Sequence, residues 1–194
     1  MGKMNLSYQS KGDFQMKRIC LYGASSETLA DAYYAAAHTI GEGLAANGIG
    51  LVFGGGATGL MGAAARGADS KGGEIIGVAP KFFDEEGVLY QNCTRFIFTE
   101  TMRERKQTME DLADGFIVTP GGIGTLEEFF EIFTLRQLGR HDKPIYILNV
   151  NGYYDQLLAF LNHMVKEDFM KAHCLDLIHV YDEPAALIAA LKEA

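Results

Sequence analysis

Short segments that are apolar at every position alternate along this chain with longer segments of helical periodicity. A strand that is apolar throughout, rather than at every second position, is typical of a parallel sheet whose two faces are both covered. The alternation indicates that helices provide these covers through right-handed crossovers. The predicted strands are residues 18–23, 49–56, 74–80, 94–100, 115–120, 143–150 and 177–182.

The fold class is therefore α/β, a Rossmann-like, doubly wound parallel sheet flanked by helices in a single domain. Ligands of such folds bind beyond the carboxyl ends of the strands. In the first helix, Ser26 is the expected N-cap and Gly48 the expected stop. Residues 81–93 show no clear period and are expected to form a loop with a turn of helix. The predicted helices are residues 25–48, 59–73, 101–114, 126–138, 153–166 and 183–194.

The chain length favours one domain, since 194 residues can bury a proper core without splitting. We assign this domain to residues 17–194. Residues 1–16 are a polar extension without an apolar core, expected to be disordered, and they do not resemble a secretory signal. No apolar run reaches the length of a membrane span.

Charge and composition exclude several classes of partner and cofactor. The formal net charge of −8 argues against nucleic acid and anionic membranes as partners. The three cysteines are odd in number and far apart, as expected of reduced thiols, so a cytoplasmic location is predicted. The five histidines show no metal-ligand spacing, and no metal site is predicted.

Two glycine-rich loops, "GGGATG" (54–59) and "TPGGIGT" (119–125), each join a predicted strand to a predicted helix. Backbone N–H groups at such a junction, with the helix dipole behind them, favour an anion, and glycine lets the backbone approach it closely. The alternative is a purely structural role, in which the glycines only permit tight turns. Two such loops in one sheet favour a phosphate site, with Gly55, Gly56 and Ser25 as candidate contacts, although a helix cap is the safer interpretation of Ser25. Neither loop matches a Walker motif or a good dinucleotide fingerprint.

Glu127 and Glu128 follow the second loop directly. With Thr125 as N-cap, Glu128 would close a capping box, which is a structural interpretation. Helical spacing places Leu126, Phe129, Phe130 and Phe133 on the buried face, Glu128 roughly opposite that face and Glu127 on its flank. An ionised carboxylate beside a sugar phosphate suits hydroxyl binding, water activation or stabilisation of a cationic sugar.

The helix that starts near Met102 brings the opposite charge. Arg105 and Lys106 fall on its apolar stripe of Met102, Met109, Leu112 and Ala113. Two inward-facing cations are costly unless they are paired or face a polar site. We predict a functional role for Arg105, whereas Lys106 is equally explained by a structural ion pair.

Four motifs together resemble one known family. The segments "GGGATGLMG" (54–62), "MRERK" (102–106), "PGGIGTLEE" (120–128) and "LRQLGRHDKPIYILNVNGYYD" (135–155) are similar to those of the LONELY GUY (LOG) family. Its members are cytokinin riboside 5′-monophosphate phosphoribohydrolases, long described as lysine decarboxylases. The resemblance implies hydrolysis of the N-glycosidic bond of a nucleoside 5′-monophosphate, giving free base and ribose 5-phosphate. It also implies a homodimer and a reaction without metal or organic cofactor.

The resemblance also assigns residues to roles. Arg105 and Glu128 would be catalytic. Arg103 stands where the family often has histidine, which bears on base preference. Two alternatives stay open: a general nucleosidase for AMP-like 5′-monophosphates, and a non-catalytic protein that binds nucleotide or molybdenum cofactor. The expected substrate-binding residues are Glu86, Lys106, Gly121, Gly122, Ile123, Gly124, Thr125, Glu127, Thr134, Gly55, Gly56 and Ser25.

Overall fold

A computed structural model describes residues 17–192 of the chain. The predicted extension over residues 1–16 and the last two residues of the predicted domain lie outside this range. Seven strands form one sheet in the order β4-β3-β2-β1-β5-β6-β7, and every neighbouring pair is parallel. The predicted α/β class and parallel sheet are confirmed. The strands are β1 (Arg18–Tyr22), β2 (Gly50–Phe53), β3 (Ile75–Pro80), β4 (Arg95–Thr99), β5 (Gly115–Val118), β6 (Ile145–Leu148) and β7 (Ile178–Tyr181).

Six α-helices in the described range cover both faces of this sheet. In β1, Ile19 and Leu21 point to one hydrophobic core, and Cys20 and Tyr22 point to the other. This arrangement explains why the strands are apolar at every position. The first core is closed by α1 (Asp31–Ala46), α2 (Gly59–Ser70) and α6 (Pro184–Leu191), and the second by α3 (Met102–Leu112), α4 (Ile123–Gln137) and α5 (Asp155–Lys166).

The predicted start of the first helix is wrong, because α1 begins at Asp31 and not after Ser26. The intervening backbone makes other contacts. The Ser25 carbonyl accepts a hydrogen bond from the Thr58 hydroxyl at 2.9 Å, and the Ser26 carbonyl accepts one from the Tyr34 hydroxyl at 2.9 Å. These bonds hold the segment as a loop beside the first glycine-rich loop. The predicted stop at Gly48 is confirmed, since this residue has a φ of 70° just past the helix end.

The helices α1 and α2 pack so closely that the backbone of one touches the backbone of the other. A Cβ atom added at Gly41 of α1 would lie 2.0 Å from the Ala64 carbonyl oxygen, and one at Gly67 of α2 would lie 2.1 Å from the His38 carbonyl oxygen. Glycine is therefore required at both positions by the close approach of the two helices. The small-residue composition of the segment 59–70 reflects this packing.

We expect Gly41→Ala to destabilise the protein by about 1–3 kcal/mol, because the methyl group collides with backbone that cannot rotate away. Gly43→Ala in the same helix is the matched control. The added Cβ at Gly43 would meet only side-chain atoms of Ile188, which can move. Urea unfolding of both variants measures the difference, and equal stability of the two would contradict the packing argument.

No helix in the range 17–192 combines the length and apolar character that crossing a membrane requires.

Candidate active site

The loops at the carboxyl ends of β1, β2, β3 and β5 surround a cleft of about 600 Å³. The chain leaves β1 towards α1 on one face and leaves β5 towards α4 on the other. The cleft therefore lies where the winding of the sheet reverses, as expected for a ligand site in such a fold. Its size is within the range of about 300–1,000 Å³ that small-molecule sites occupy.

The second glycine-rich loop leads into α4 earlier than predicted. The helix begins at Ile123 with Gly122 as N-cap, so the predicted capping box at Thr125 is wrong. Thr125 is the third helical residue and is buried. Because Gly122 has no side chain, no side-chain cap satisfies the first N–H groups of α4. These donors remain available to a ligand, as at an anion site.

A buried ion pair forms one wall of the cleft. Arg105 Nη1 lies 2.8 Å from Glu128 Oε1, and the two side chains are only 9% and 11% exposed. The Arg105 Nε–H also donates to the Val78 carbonyl at 3.2 Å. Gly54 makes room for the guanidinium, since a Cβ there would lie 1.9 Å from Arg105 Nη2. A cation from α3 and a carboxylate from α4 thus meet beneath the glycine-rich loops.

The predicted direction of Glu128 is wrong, because its carboxylate is buried in the cleft rather than opposite the packed face. The buried residues of α4 are Thr125, Phe129, Ile132 and Phe133. Glu128 lies three residues after Thr125 and four before Ile132, so it falls beside this face. Of the four residues on the predicted buried face, Phe129 and Phe133 are buried, whereas Leu126 and Phe130 are only half-buried, so the true face is rotated towards Glu128.

Burial raises the pKa of Glu128 above its ordinary value, and the Arg105 guanidinium opposes this shift. The folded state therefore binds this proton more readily than the unfolded chain does. It follows that the contribution of Glu128 to stability is most favourable below the ordinary pKa of 4.5 and decreases as the pH rises through the raised value.

We expect the free energy of unfolding of the wild type, relative to Glu128→Gln, to fall as the pH rises from about 4 to 7. The glutamine variant lacks this titration, so the difference between the two isolates Glu128 from the other carboxyl groups. Urea unfolding across this range measures it. A difference that stays constant, or that grows with pH, would contradict the raised pKa.

Lys106 belongs to a separate charge cluster on the outside of the same two helices. Its ammonium group contacts Glu127 and lies 2.7 Å from Glu131 Oε2. The side chain is 16% exposed and is not among the cleft-lining residues. This geometry favours the structural interpretation of Lys106. Glu127 lies at the rim, where it lines the cleft but is 55% exposed.

The other candidate residues divide into those that line the cleft and those that do not. Gly55 lies below the cleft wall, where a Cβ would touch the Phe96 ring. Gly121 is buried, and Thr134 is exposed on α4 without lining the cleft. Glu86 is exposed in the loop after β3, whose Phe83 and Val88 do line it. The candidates that line the cleft are Ser25, Gly56, Arg105, Gly122, Ile123, Gly124, Thr125, Glu127 and Glu128.

Sequence reasoning missed the apolar wall of the cleft. Met102 was placed on a buried stripe, yet it is 41% exposed and lines the cleft, and Phe83 is 42% exposed beside it. The signal was present in the segment 81–93, where apolar side chains occur without any period that would bury them. The predicted turn of helix there is confirmed at Lys81–Phe83. The apolar wall consists of Met61, Phe83, Val88, Leu89 and Met102.

Within residues 17–192, no three His, Cys, Asp or Glu side chains come together as a potential metal site. The described cysteines are all free.

Comparison with known proteins gives a consistent result. A family model described as "possible lysine decarboxylase" matches residues 61–191. The chain is 35% identical to the cytokinin riboside 5′-monophosphate phosphoribohydrolase LOG3 of Arabidopsis thaliana, over 98% of this chain and 88% of that protein. It is 38% identical to the enzyme of the same description, LOG, of Oryza sativa subsp. japonica, over 92% and 74%. A molybdenum cofactor binding protein of Rippkaea orientalis shares the fold, with a TM-score of 0.72 and 21% identity over 94% of this chain and 98% of that one.

Proposed function

Since the chain belongs to the LONELY GUY family, the "possible lysine decarboxylase" group that includes these plant phosphoribohydrolases, we propose that it is a hydrolase of N-glycosyl bonds. Its substrate is a nucleoside 5′-monophosphate of the cytokinin type, and its products are the free base and ribose 5-phosphate. The observation that carries the proposal is the buried Arg105–Glu128 pair next to the open N-terminus of α4.

The cleft offers three environments to the three parts of such a substrate. The 5′-phosphate binds at Gly122, Ile123 and Gly124, where free backbone N–H groups and the helix dipole favour an anion. The ribose lies over Glu128, one helical turn further along α4. The base lies against the apolar wall, which provides the contact area that an aromatic ring and an apolar substituent need.

The chemistry breaks the bond between ribose C1′ and the base nitrogen. The bonding electrons leave with the base, which takes up a proton, and positive charge develops on the sugar as in other glycoside hydrolyses. The Glu128 carboxylate stabilises this charge and orients the water molecule that adds to C1′. This water loses a proton as its oxygen bonds to the sugar. Arg105 holds the carboxylate in place and presents its remaining donors to oxygens of the ligand.

The proposal is tested by chromatographic detection of base release from isopentenyladenosine monophosphate and from AMP. We expect release from at least one of them. The ratio of the two rates separates a cytokinin enzyme from a general nucleosidase. Release from neither substrate, with nucleotide still bound, would overturn the hydrolase proposal in favour of a binding protein.

Three finer expectations accompany this proposal. The resemblance implies a homodimer, which light scattering of the purified protein measures. The odd number and wide spacing of the three cysteines support a cytoplasmic location. The chemistry above requires neither a metal ion nor an organic cofactor, so chelators should leave the activity unchanged.

Gly124→Ala should weaken binding of the substrate phosphate while leaving the fold intact. An added Cβ at Gly124 meets nothing within 4 Å and the residue has no positive φ, so the variant should be as stable as the wild type or about 0.4–1 kcal/mol more stable. The methyl group would stand where the phosphate approaches, and we expect KM to rise at least about tenfold.

Gly59→Ala, in the first glycine-rich loop, is the contrasting control. Gly59 has a φ of 61°, and a Cβ there would lie 2.2 Å from the Ala24 carbonyl oxygen, so this variant should lose stability. Steady-state kinetics and thermal melting of both variants provide the measurement. An unchanged KM in Gly124→Ala would place the phosphate elsewhere.

A further inference from the structure

Two consecutive tyrosines fix the back of the loop that precedes α4. The Tyr154 hydroxyl donates to the Thr119 carbonyl at 2.8 Å, and the Tyr153 hydroxyl donates to the Gly121 carbonyl at 2.7 Å. Both come from the short segment between β6 and α5. Neither is among the described residues that line the cleft, so each would act on a ligand only through the loop.

The remaining carbonyls of this loop are also engaged. The Pro120 carbonyl accepts from the Ala24 N–H at 3.1 Å, and the Gly122 carbonyl accepts from the Leu126 N–H at 3.0 Å. Every carbonyl from residue 119 to 122 therefore has a partner. In an amide the N–H and C=O point in opposite directions, so holding the carbonyls of residues 120 to 122 fixes the orientation of the N–H groups of Gly121, Gly122 and Ile123. The amide after Thr119 has no N–H, because residue 120 is proline. Without those contacts, glycine-rich peptide units would be free to rotate.

The tyrosine pair is itself firmly held. The Tyr154 N–H donates to Asn149 Oδ1 at 2.7 Å, and Asn149 Nδ2 donates to Asp155 Oδ1 at 2.9 Å. The rings of Tyr153 and Tyr154 pack edge to face, with their centroids 4.9 Å apart. The ring of Tyr33 packs on that of Tyr153 with a centroid distance of 6.0 Å. Burial raises the pKa of Tyr154, which keeps its hydroxyl a donor. Tyr153, in contrast, is 45% exposed, so losing its hydroxyl does not leave a cavity.

We propose that Tyr153 is a positioning residue that sets the Gly122 N–H towards the cleft and thereby makes the site selective for phosphorylated ligands, while Tyr154 anchors the start of the loop at the Thr119 carbonyl. The inference rests on the proposed function in one respect, namely that the ligand carries its phosphate at the start of α4. It adds residues that lie outside the loop motif itself. The Tyr153 hydroxyl acts on the affinity for the phosphate and not on the bond that breaks.

The test compares Tyr153→Phe with the wild type, and uses Tyr33→Phe as the matched control because it removes a hydroxyl from the neighbouring ring. Calorimetry measures the Kd for ribose 5-phosphate, which contains no N-glycosidic bond, and for inorganic phosphate. Steady-state kinetics on isopentenyladenosine monophosphate give KM and kcat. We expect Tyr153→Phe to raise both Kd values and KM about tenfold, as the loss of one well-placed hydrogen bond allows, and to leave kcat within about twofold.

The expected melting temperature of Tyr153→Phe is that of the wild type. Unchanged Kd values in this variant would overturn the proposal. A weakening that also appears in Tyr33→Phe, or that accompanies a lower melting temperature and a lower kcat, would show a general structural role and would overturn it as well. If the wild type binds ribose 5-phosphate but releases no base, the hydrolase proposal fails, while a selective effect of Tyr153→Phe on Kd still supports the positioning role.

Discussion

Glu128→Gln should reduce kcat by about 10²- to 10⁴-fold and leave the protein folded, since this is the loss expected when one charged or proton-transferring group is removed. Glutamine has nearly the same shape as glutamate, and its carbonyl oxygen can still accept the hydrogen bond that Arg105 Nη1 makes at 2.8 Å. The negative charge that would oppose the developing cation on the sugar is gone. The effect should therefore be confined to the reaction step, with KM close to that of the wild type.

The measurement is kcat and KM for isopentenyladenosine monophosphate, together with thermal melting. Glu127→Gln is the matched control, because Glu127 precedes Glu128 on the same helix but lies at the rim, 55% exposed and in contact with Lys106. We expect it to lose less than about tenfold, as is usual for an exposed ion pair. Equal loss of kcat in the two variants would contradict a specific catalytic role for Glu128.

Arg105→Met should be impaired in stability as well as in turnover. The substitution leaves the Glu128 carboxylate buried beside an apolar side chain, and removing one partner of a buried ion pair costs about 3–5 kcal/mol. It also removes the hydrogen bond to the Val78 carbonyl. Turnover should fall to the level of Glu128→Gln or below, because the carboxylate loses the contact that orients it.

The double variant, Arg105→Met with Glu128→Gln, separates these two effects. It contains no buried unpaired charge, so we expect it to regain at least part of the stability that Arg105→Met loses while remaining inactive. Urea unfolding of the wild type, the two single variants and the double variant completes the cycle. Strict additivity of the two single losses would show that the ion pair seen in the cleft does not couple the two residues.

The sheet could be predicted from the sequence because its signal is local. Strands such as β1 are apolar at each position, and the glycines mark the ends of β2 and β5. The detailed course of α4 could not be predicted in the same way. A glycine N-cap leaves no side-chain signature, and Leu126 is apolar without being fully buried, so both the start of the helix and the direction of Glu128 were misplaced.

The contact between Arg105 and Glu128 could be predicted from the sequence only in part. Each could be selected as a charged residue next to a ligand site, but their contact joins elements that lie on either side of β5 in the chain and is set by the order of the strands. The apolar wall depends on tertiary structure even more. Phe83 belongs to a loop without periodicity, and only the assembled fold shows that this loop closes over the cleft.

The ion pair also joins two separate segments of the chain. Arg105 belongs to the half of the sheet built from β1 to β4, whereas Glu128 and the tyrosines behind the loop belong to the half built from β5 to β7. Each of the two segments therefore contributes one charged group, and the cleft needs both of them to contain the ion pair.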